Sequence, residues 1–141
     1  MTAMPSRPLI RELLVCADLA GSLRRHRPGE NAEFATLASA VFTVLAARRF
    51  AMPGDRRIPA FVDSAPAWAG THQRIDATAA VRLIRATLGA TALLDGVPAD
   101  SVTVLHILLS RAIVAEHGAT AVQIDAVLHA AEALATESGA R

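Results

Sequence analysis

The stretch PADSVTVLHILLSRAIVAEHG, residues 98–118, decides the reading of this chain. Pro98 suits the opening of a helix, because a first-turn residue needs no backbone N–H. Gly118 suits its close, since a C-terminal cap takes up a left-handed conformation that glycine adopts freely. Between them Val102, Val104, Leu105, Ile107, Leu108, Leu109, Ile113 and Val114 surround most of a helical circumference instead of forming one stripe. A helix over 99–116 that is apolar on nearly every side must be enclosed by other helices. The sequence therefore predicts an all-α fold with this segment at its centre.

Composition agrees. Aromatic residues make up 4% of the chain and Tyr is absent, which disfavours strand-rich folds. Ala occupies 31 of 141 positions, and Ala is the best helix former. With 52% hydrophobic and 19% charged residues the chain is not of the disordered class. Its length is enough for one hydrophobic core without a disulfide or a metal.

Four more helices follow from periodicity on either side of the central one. Over 9–25, Leu9, Leu13, Cys16, Ala20 and Leu23 recur at helical spacing, with Pro8 in the first turn and Pro28-Gly29 as the stop. Over 32–49, Asn31 is placed to cap a helix whose large stripe is Phe34, Leu37, Val41, Val44 and Leu45. Its other face is small rather than charged (Thr36, Ser39, Ala40, Thr43, Ala47), so burial on both sides is expected. Asp76 caps a helix over 77–94 with Val81, Ile84, Leu88 and Ala92 inward, closed by Asp95-Gly96. The last, over 121–136, is two-faced: Ile124, Val127, Leu128, Ala131, Leu134 and Ala135 against Asp125, His129, Glu132 and Thr136. Residues 50–75 contain Pro53-Gly54, Pro59, Pro66 and Gly70 and no sustained period, so they read as a long connector with at most a helical turn near Ala65–Ala69. The expectation is a single domain over 1–141, a five-helix bundle with a long Pro/Gly-containing loop between its second and third helices.

Several function classes fall away on chemistry. All 14 basic residues are Arg, and a chain with no Lys has neither a Schiff-base nucleophile nor the usual P-loop lysine. Gly-rich dinucleotide loops and EF-hand loops are also missing, so no cofactor and no metal is expected. Cys16, the lone cysteine, allows no intrachain disulfide or CxxC pair and reads as a small hydrophobe. The longest charge-free run, Phe34 to Ala47, is 14 residues, too short to span a bilayer. Arg11, Glu12 and Asp18 interrupt the N-terminal apolar stretch that a signal peptide would need, so a cytoplasmic protein is expected.

Charge is nearly balanced at +1 but unevenly placed. Residues 1–75 hold ten Arg against six acids, and residues 76–141 hold four Arg against seven acids. Such a split either steers a partner or draws one half of the fold onto the other.

Three constellations invite chemistry. Asp125, His129 and Glu132 share a helical face and could form a metal row, but no second helix supplies a matching set, and a solvated face is expected. His106 and Ser110 share a face of the central helix, a spacing that suits a nucleophile and its base; Ser110 lies mid-helix with no Gly-x-Ser-x-Gly setting, so a polar strip is expected instead. Glu12 falls beside the apolar stripe, at its rim or paired with an Arg. No catalytic residue is assigned. Residues 113–127 have a helix-turn-helix outline, but a second helix starting at Thr120 carries no Arg to meet phosphates.

The binding candidates lie elsewhere. Arg48 and Arg49 end a helix, where the macrodipole favours cations, whereas Arg56 and Arg57 have no such reason. With Phe61 and Trp68 they form the set expected to touch another molecule, since Arg and Trp are enriched at binding hot spots. The segments 32–49 and 99–116 offer more apolar surface than a lone copy was expected to enclose. The leading expectation is thus a non-enzymatic helical protein–protein interaction module, an accessory, adaptor or regulatory subunit forming a homodimer. The alternative is a small enzyme or ligand-binding bundle gated by 50–75, with His106, Ser110 or Glu12 in a pocket and Arg56 and Arg57 on an anionic substrate. A nucleic-acid-binding regulator, working through the Arg clusters of the first half, is the second alternative.

Overall fold

The computed structural model describes residues 6–26, 31–71, 75–89 and 99–139. Among them run seven helices and no strand: α1 (Ser6–Val15), α2 (Leu19–His26), α3 (Ala32–Arg49), α4 (Arg57–Ala69), α5 (Ala77–Thr87), α6 (Ala99–His117) and α7 (Ala121–Gly139). The fold is all-α as expected, but the count of five and the long loop need correcting.

The segment 9–25 is two helices, because Asp18 caps a new one. Its carboxylate accepts a hydrogen bond from the Gly21 N–H at 3.0 Å, and its carbonyl accepts from the Ser22 N–H at 3.1 Å. An Asp that satisfies these donors ends the preceding helix and starts the next. Gly21 permits the arrangement, since a Cβ there would lie 2.1 Å from the Asp18 carboxylate.

The segment 50–75 is not a loop over most of its length but contains α4. Asp55 starts it by accepting from the Arg57 N–H at 2.9 Å. Pro59 sits in the first turn, where no N–H is needed, so it does not break the helix. Pro66 falls in the last turns, just ahead of a left-handed Gly70 cap (φ 69°) in which the Thr71 N–H reaches the Pro66 carbonyl at 3.1 Å. The third predicted helix is shorter than expected. Asp76 caps it, accepting from the Ala79 N–H at 3.0 Å, but it ends at Thr87 ahead of Gly89, whose φ is 108°. The expected stops at Asp95-Gly96 and Pro28-Gly29 and the start at Pro98 lie outside the described residues.

Helix α6 is the axis. Every residue from His106 to Val114 is buried, which requires cover on nearly all sides, Ile113 and Val114 keeping 5% and 7% of their surface open. That cover comes from α1, α3 and α4, while α7 lies on α3 and α1, and α5 on α4 and α3. Phe34, Val41 and Phe42 of α3, Ile58 and Phe61 of α4, Ile107 to Leu109 of α6 and Leu128 of α7 belong to one continuous core. Because α4 supplies Ile58, Phe61, Val62 and Ala65 as additional cover, one copy encloses most of both apolar helices. The large apolar side chains left exposed among the described residues are Val15, Met52, Trp68 and Val122, one on each of four segments. No helix of the described residues is long and apolar enough to cross a membrane.

The uneven charge draws the halves together. Arg7 pairs with Glu132, Arg11 with Asp125 at 2.9 Å, and Arg49 with Glu116 at 2.6 Å, each a cation of the first half on an acid of the second.

Arg111 is the unexpected member of the core, 9% exposed in the middle of the apolar helix. Its partners are backbone carbonyls. The guanidinium donates to Ala69 O at 2.7 Å, to Leu13 O at 2.9 Å and to Cys16 O. These carbonyls stand at the C-terminal ends of α4 and α1, where intrahelical donors have run out and the helix dipoles are negative. One planar, five-donor cation thus ties two helix ends to a third helix.

Candidate binding cleft

The turn after α6 sets the site. Gly118 closes α6 with its N–H on Ala115 O at 3.2 Å, and the Ala119 N–H reaches Val114 O at 3.1 Å. Thr120 and Gln123 then cap α7 reciprocally: the Gln123 side chain accepts from the Thr120 N–H at 2.8 Å, and the Thr120 hydroxyl accepts from the Gln123 N–H at 3.2 Å. The chain reverses onto the end of α3, leaving a cleft of about 410 Å³ between the three helices. Leu45, Ile113, Val114, Ile124 and Val127 form an apolar floor, and Arg48, Arg49, Arg57, His117 and Gln123 form the rim.

The rim arginines differ in their state. Arg49 is held by Glu116 and lies over the rings of Phe50 and Phe61, 5.0 and 5.6 Å from their centroids. Arg57 clasps Asp55, its Nη2 2.7 Å from the carboxylate. The Asp55 carboxyl is held well below the usual carboxylate range, first by the Arg57 side chain and then by the backbone N–H groups of Arg57 and Ala51. Arg48 is exposed and makes no hydrogen bond or ion pair among the described residues. Two acids therefore answer three arginines, and the rim carries an excess of one cation.

Of the six sequence candidates, Arg48, Arg49 and Arg57 are brought together here. Arg56 is exposed next to Arg57 but does not line the cleft. Phe61 is 2% exposed and meets Phe50 edge-on at 5.4 Å, so it is a core residue. Trp68 is 45% exposed, but it lies 11 residues along α4 from Arg57, about 16 Å at the rise of an α-helix. The floor was missed because Ile113, Ile124 and Val127 have the spacing of ordinary core residues; nothing local distinguishes a floor from a core.

Of the remaining candidates, Asp125, Glu132 and Glu12 stand beside charged or ionisable side chains. Asp125 and Glu132 are taken up by Arg11 and Arg7, and His129 is exposed. Glu12 lies 3.4 Å from His26 Nε2, a histidine rather than an Arg. His106 is 7% exposed, its ring 5.4 Å from that of Phe42, and burial pushes its pKa down to about 4. Ser110 is 0% exposed and its hydroxyl has no hydrogen-bond partner among the described residues, His106 included. A hydroxyl so enclosed offers no approach to a substrate carbonyl. Among the described residues no three His, Cys, Asp or Glu side chains are grouped to hold a metal ion. No protein-family model, curated protein or solved structure matches this chain.

Proposed function

We propose that this chain is a non-enzymatic helical interaction module of the cytoplasm, an accessory, adaptor or regulatory subunit that holds a partner protein in the cleft between α3, α6 and α7. One observation carries the reading: an apolar floor bordered by a rim whose Arg48 has no partner of its own. Apolar anchors surrounded by polar and cationic groups are the anatomy of a binding hot spot. Cys16 as a free thiol suits a reducing compartment. A partner protein or a second copy of the chain both fit this reading, whose support is the cleft, since one copy encloses most of the apolar excess of α3 and α6.

The second reading, a small-ligand site, is favoured by one fact: about 410 Å³ lies within the range of small-molecule pockets. A photo-reactive residue at Gln123, in the chain expressed in its own host, separates the two. The expected result is a discrete protein adduct, absent when the photo-reactive residue stands at Glu33 and lost with Arg48→Glu. Glu33 lies 15 residues from Arg48 on α3, about 22 Å away. A small-molecule adduct in the intact mass would replace the proposal with the second reading, and no adduct at Gln123 would overturn both.

A further inference from the structure

We infer that the occupant of the cleft is an amphipathic α-helix that sets its apolar stripe on the floor and points an acidic side chain at Arg48. The inference rests on the interaction-module reading and adds the partner's shape and charge.

Shape comes first. The described residues offer no sheet edge to which a partner could add a strand. The floor is drawn from three helices, with Leu45 on α3, Ile113 and Val114 on α6, and Ile124 and Val127 on α7. A trough between helices receives another helix through side chains spaced three or four residues apart, because these project from one face.

Charge decides the rest. Arg49 and Arg57 already have their carboxylates in Glu116 and Asp55, whereas Arg48 stands beside them without one. A guanidinium on a rim next to apolar surface favours a carboxylate, which it can meet with two parallel N–H donors. A basic partner would bring a like charge against the one rim cation that no carboxylate answers. Arg48 is a recognition residue in this scheme and carries no part of the core, since it is exposed and unbonded among the described residues.

The test is a displayed library of helical peptides with a fixed apolar stripe and randomised flanking positions, selected on the whole folded chain. Asp and Glu are expected to be enriched over Lys, Arg, Asn and Gln at one flank. The best selected peptide, made synthetically, is expected to lose about tenfold in affinity on Arg48→Glu, as befits one charge-assisted contact. It is expected to lose binding altogether on Ala126→Trp, since Ala126 of α7 also lines the cleft and a Trp there fills it. Ala126→Trp should keep the parent's unfolding midpoint, and Arg48→Glu should lower it only slightly, because an acid in the last turn of α3 opposes the helix dipole. Arg48→Gln, which lacks that opposition, should weaken binding as well. Selected peptides that are neutral or basic at the flanks, or that bind the Arg48→Glu variant equally well, would overturn the inference. If Gln123 captures a protein while the library shows no acidic enrichment, the module reading stands and the occupant's chemistry is wrong. If Gln123 captures nothing and no peptide is selected, both fall.

Discussion

Replacing Arg111 by Leu is expected to destabilise the fold by about 4 kcal/mol, a large share of the stability of an ordinary domain. Leu is three heavy atoms smaller, so part of the loss is a cavity left where the guanidinium stood, but the larger part is polar. It comes from the carbonyls of Leu13, Cys16 and Ala69, which the guanidinium satisfies in the native fold. When a buried ion pair is replaced by apolar residues both charges disappear, and the exchange can be neutral. Here the acceptors are backbone and cannot be removed with their partner. They would remain at the ends of α1 and α4, Leu13 O with only the weak Cys16 S–H donor at 3.9 Å and the other two with no side-chain donor among the described residues, at a desolvation cost of about 1–3 kcal/mol for each unsatisfied group. Arg111→Lys keeps the charge but offers a point donor in place of a fork, so an intermediate loss of about 2 kcal/mol is expected. Urea unfolding followed by far-ultraviolet circular dichroism gives both values. A Leu variant within about 0.5 kcal/mol of the parent would show that Arg111 does not tie the helix ends, and the Lys variant supplies the comparison if the Leu variant fails to fold.

Stability is also expected to fall as the pH drops from about 6.5 toward 4, because of His106. The direction follows from the two states. In the unfolded chain His106 takes up a proton near pH 6.5, whereas in the folded chain burial against Phe42 delays protonation to about pH 4. Between these values the unfolded state binds the proton and the native state does not, so acid favours unfolding. The gap corresponds to about 3 kcal/mol, present in full above pH 6.5 and gone below about pH 4. His106→Gln is expected to remove this slope while retaining the acid loss that belongs to the carboxylates. Urea midpoints at pH 7.5, 6, 5 and 4.5 for the two proteins measure the difference. Parallel curves would mean that His106 protonates as readily in the fold as outside it.

The helical class and the central position of 99–116 were legible because apolar residues around a whole helical circumference admit one outcome, enclosure. The caps of α3 and α5 at Asn31 and Asp76 were legible too, since each is a short polar residue directly ahead of a periodic run. Helix α4 was present in the sequence but was overridden. Ile58, Phe61, Val62, Ala65 and Ala69 have helical spacing and are all buried, yet Pro59 and Pro66 were weighed as breakers without regard to the turn in which each falls. The division at Asp18 was likewise readable as a cap, with Gly21 three residues on, but the apolar period ran across it. Arg111 could not be read in this way. Its acceptors come from two helices, 42 and 98 residues away along the chain, and no local pattern announces a cation that serves the carbonyls of distant helix ends.

The site divides along the same line. Arg57 could be singled out because an arginine without an evident local role stands out in sequence, and Arg48 and Arg49 because they cluster at a helix end. Which of them lacks a partner depends on Glu116 and Asp55, and Glu116 comes from the far half of the chain. The cleft itself depends on where α7 turns back over α3, a tertiary fact. Among the described residues three ion pairs join the halves, and with Arg57 answered by Asp55 in its own half, Arg48 is the rim cation without a carboxylate.

The claim that this cleft is where the molecule meets its partner is tested most directly by methyl spectra of the Ile-, Leu- and Val-labelled chain, titrated with the selected acidic helix. The account predicts shifts at Leu45, Ile113, Val114, Ile124 and Val127, which line the cleft, with Leu83 and Ile84 of α5 unmoved. Shifts centred on α5, or on Val15 at the end of α1, with the cleft methyls unchanged, would contradict it.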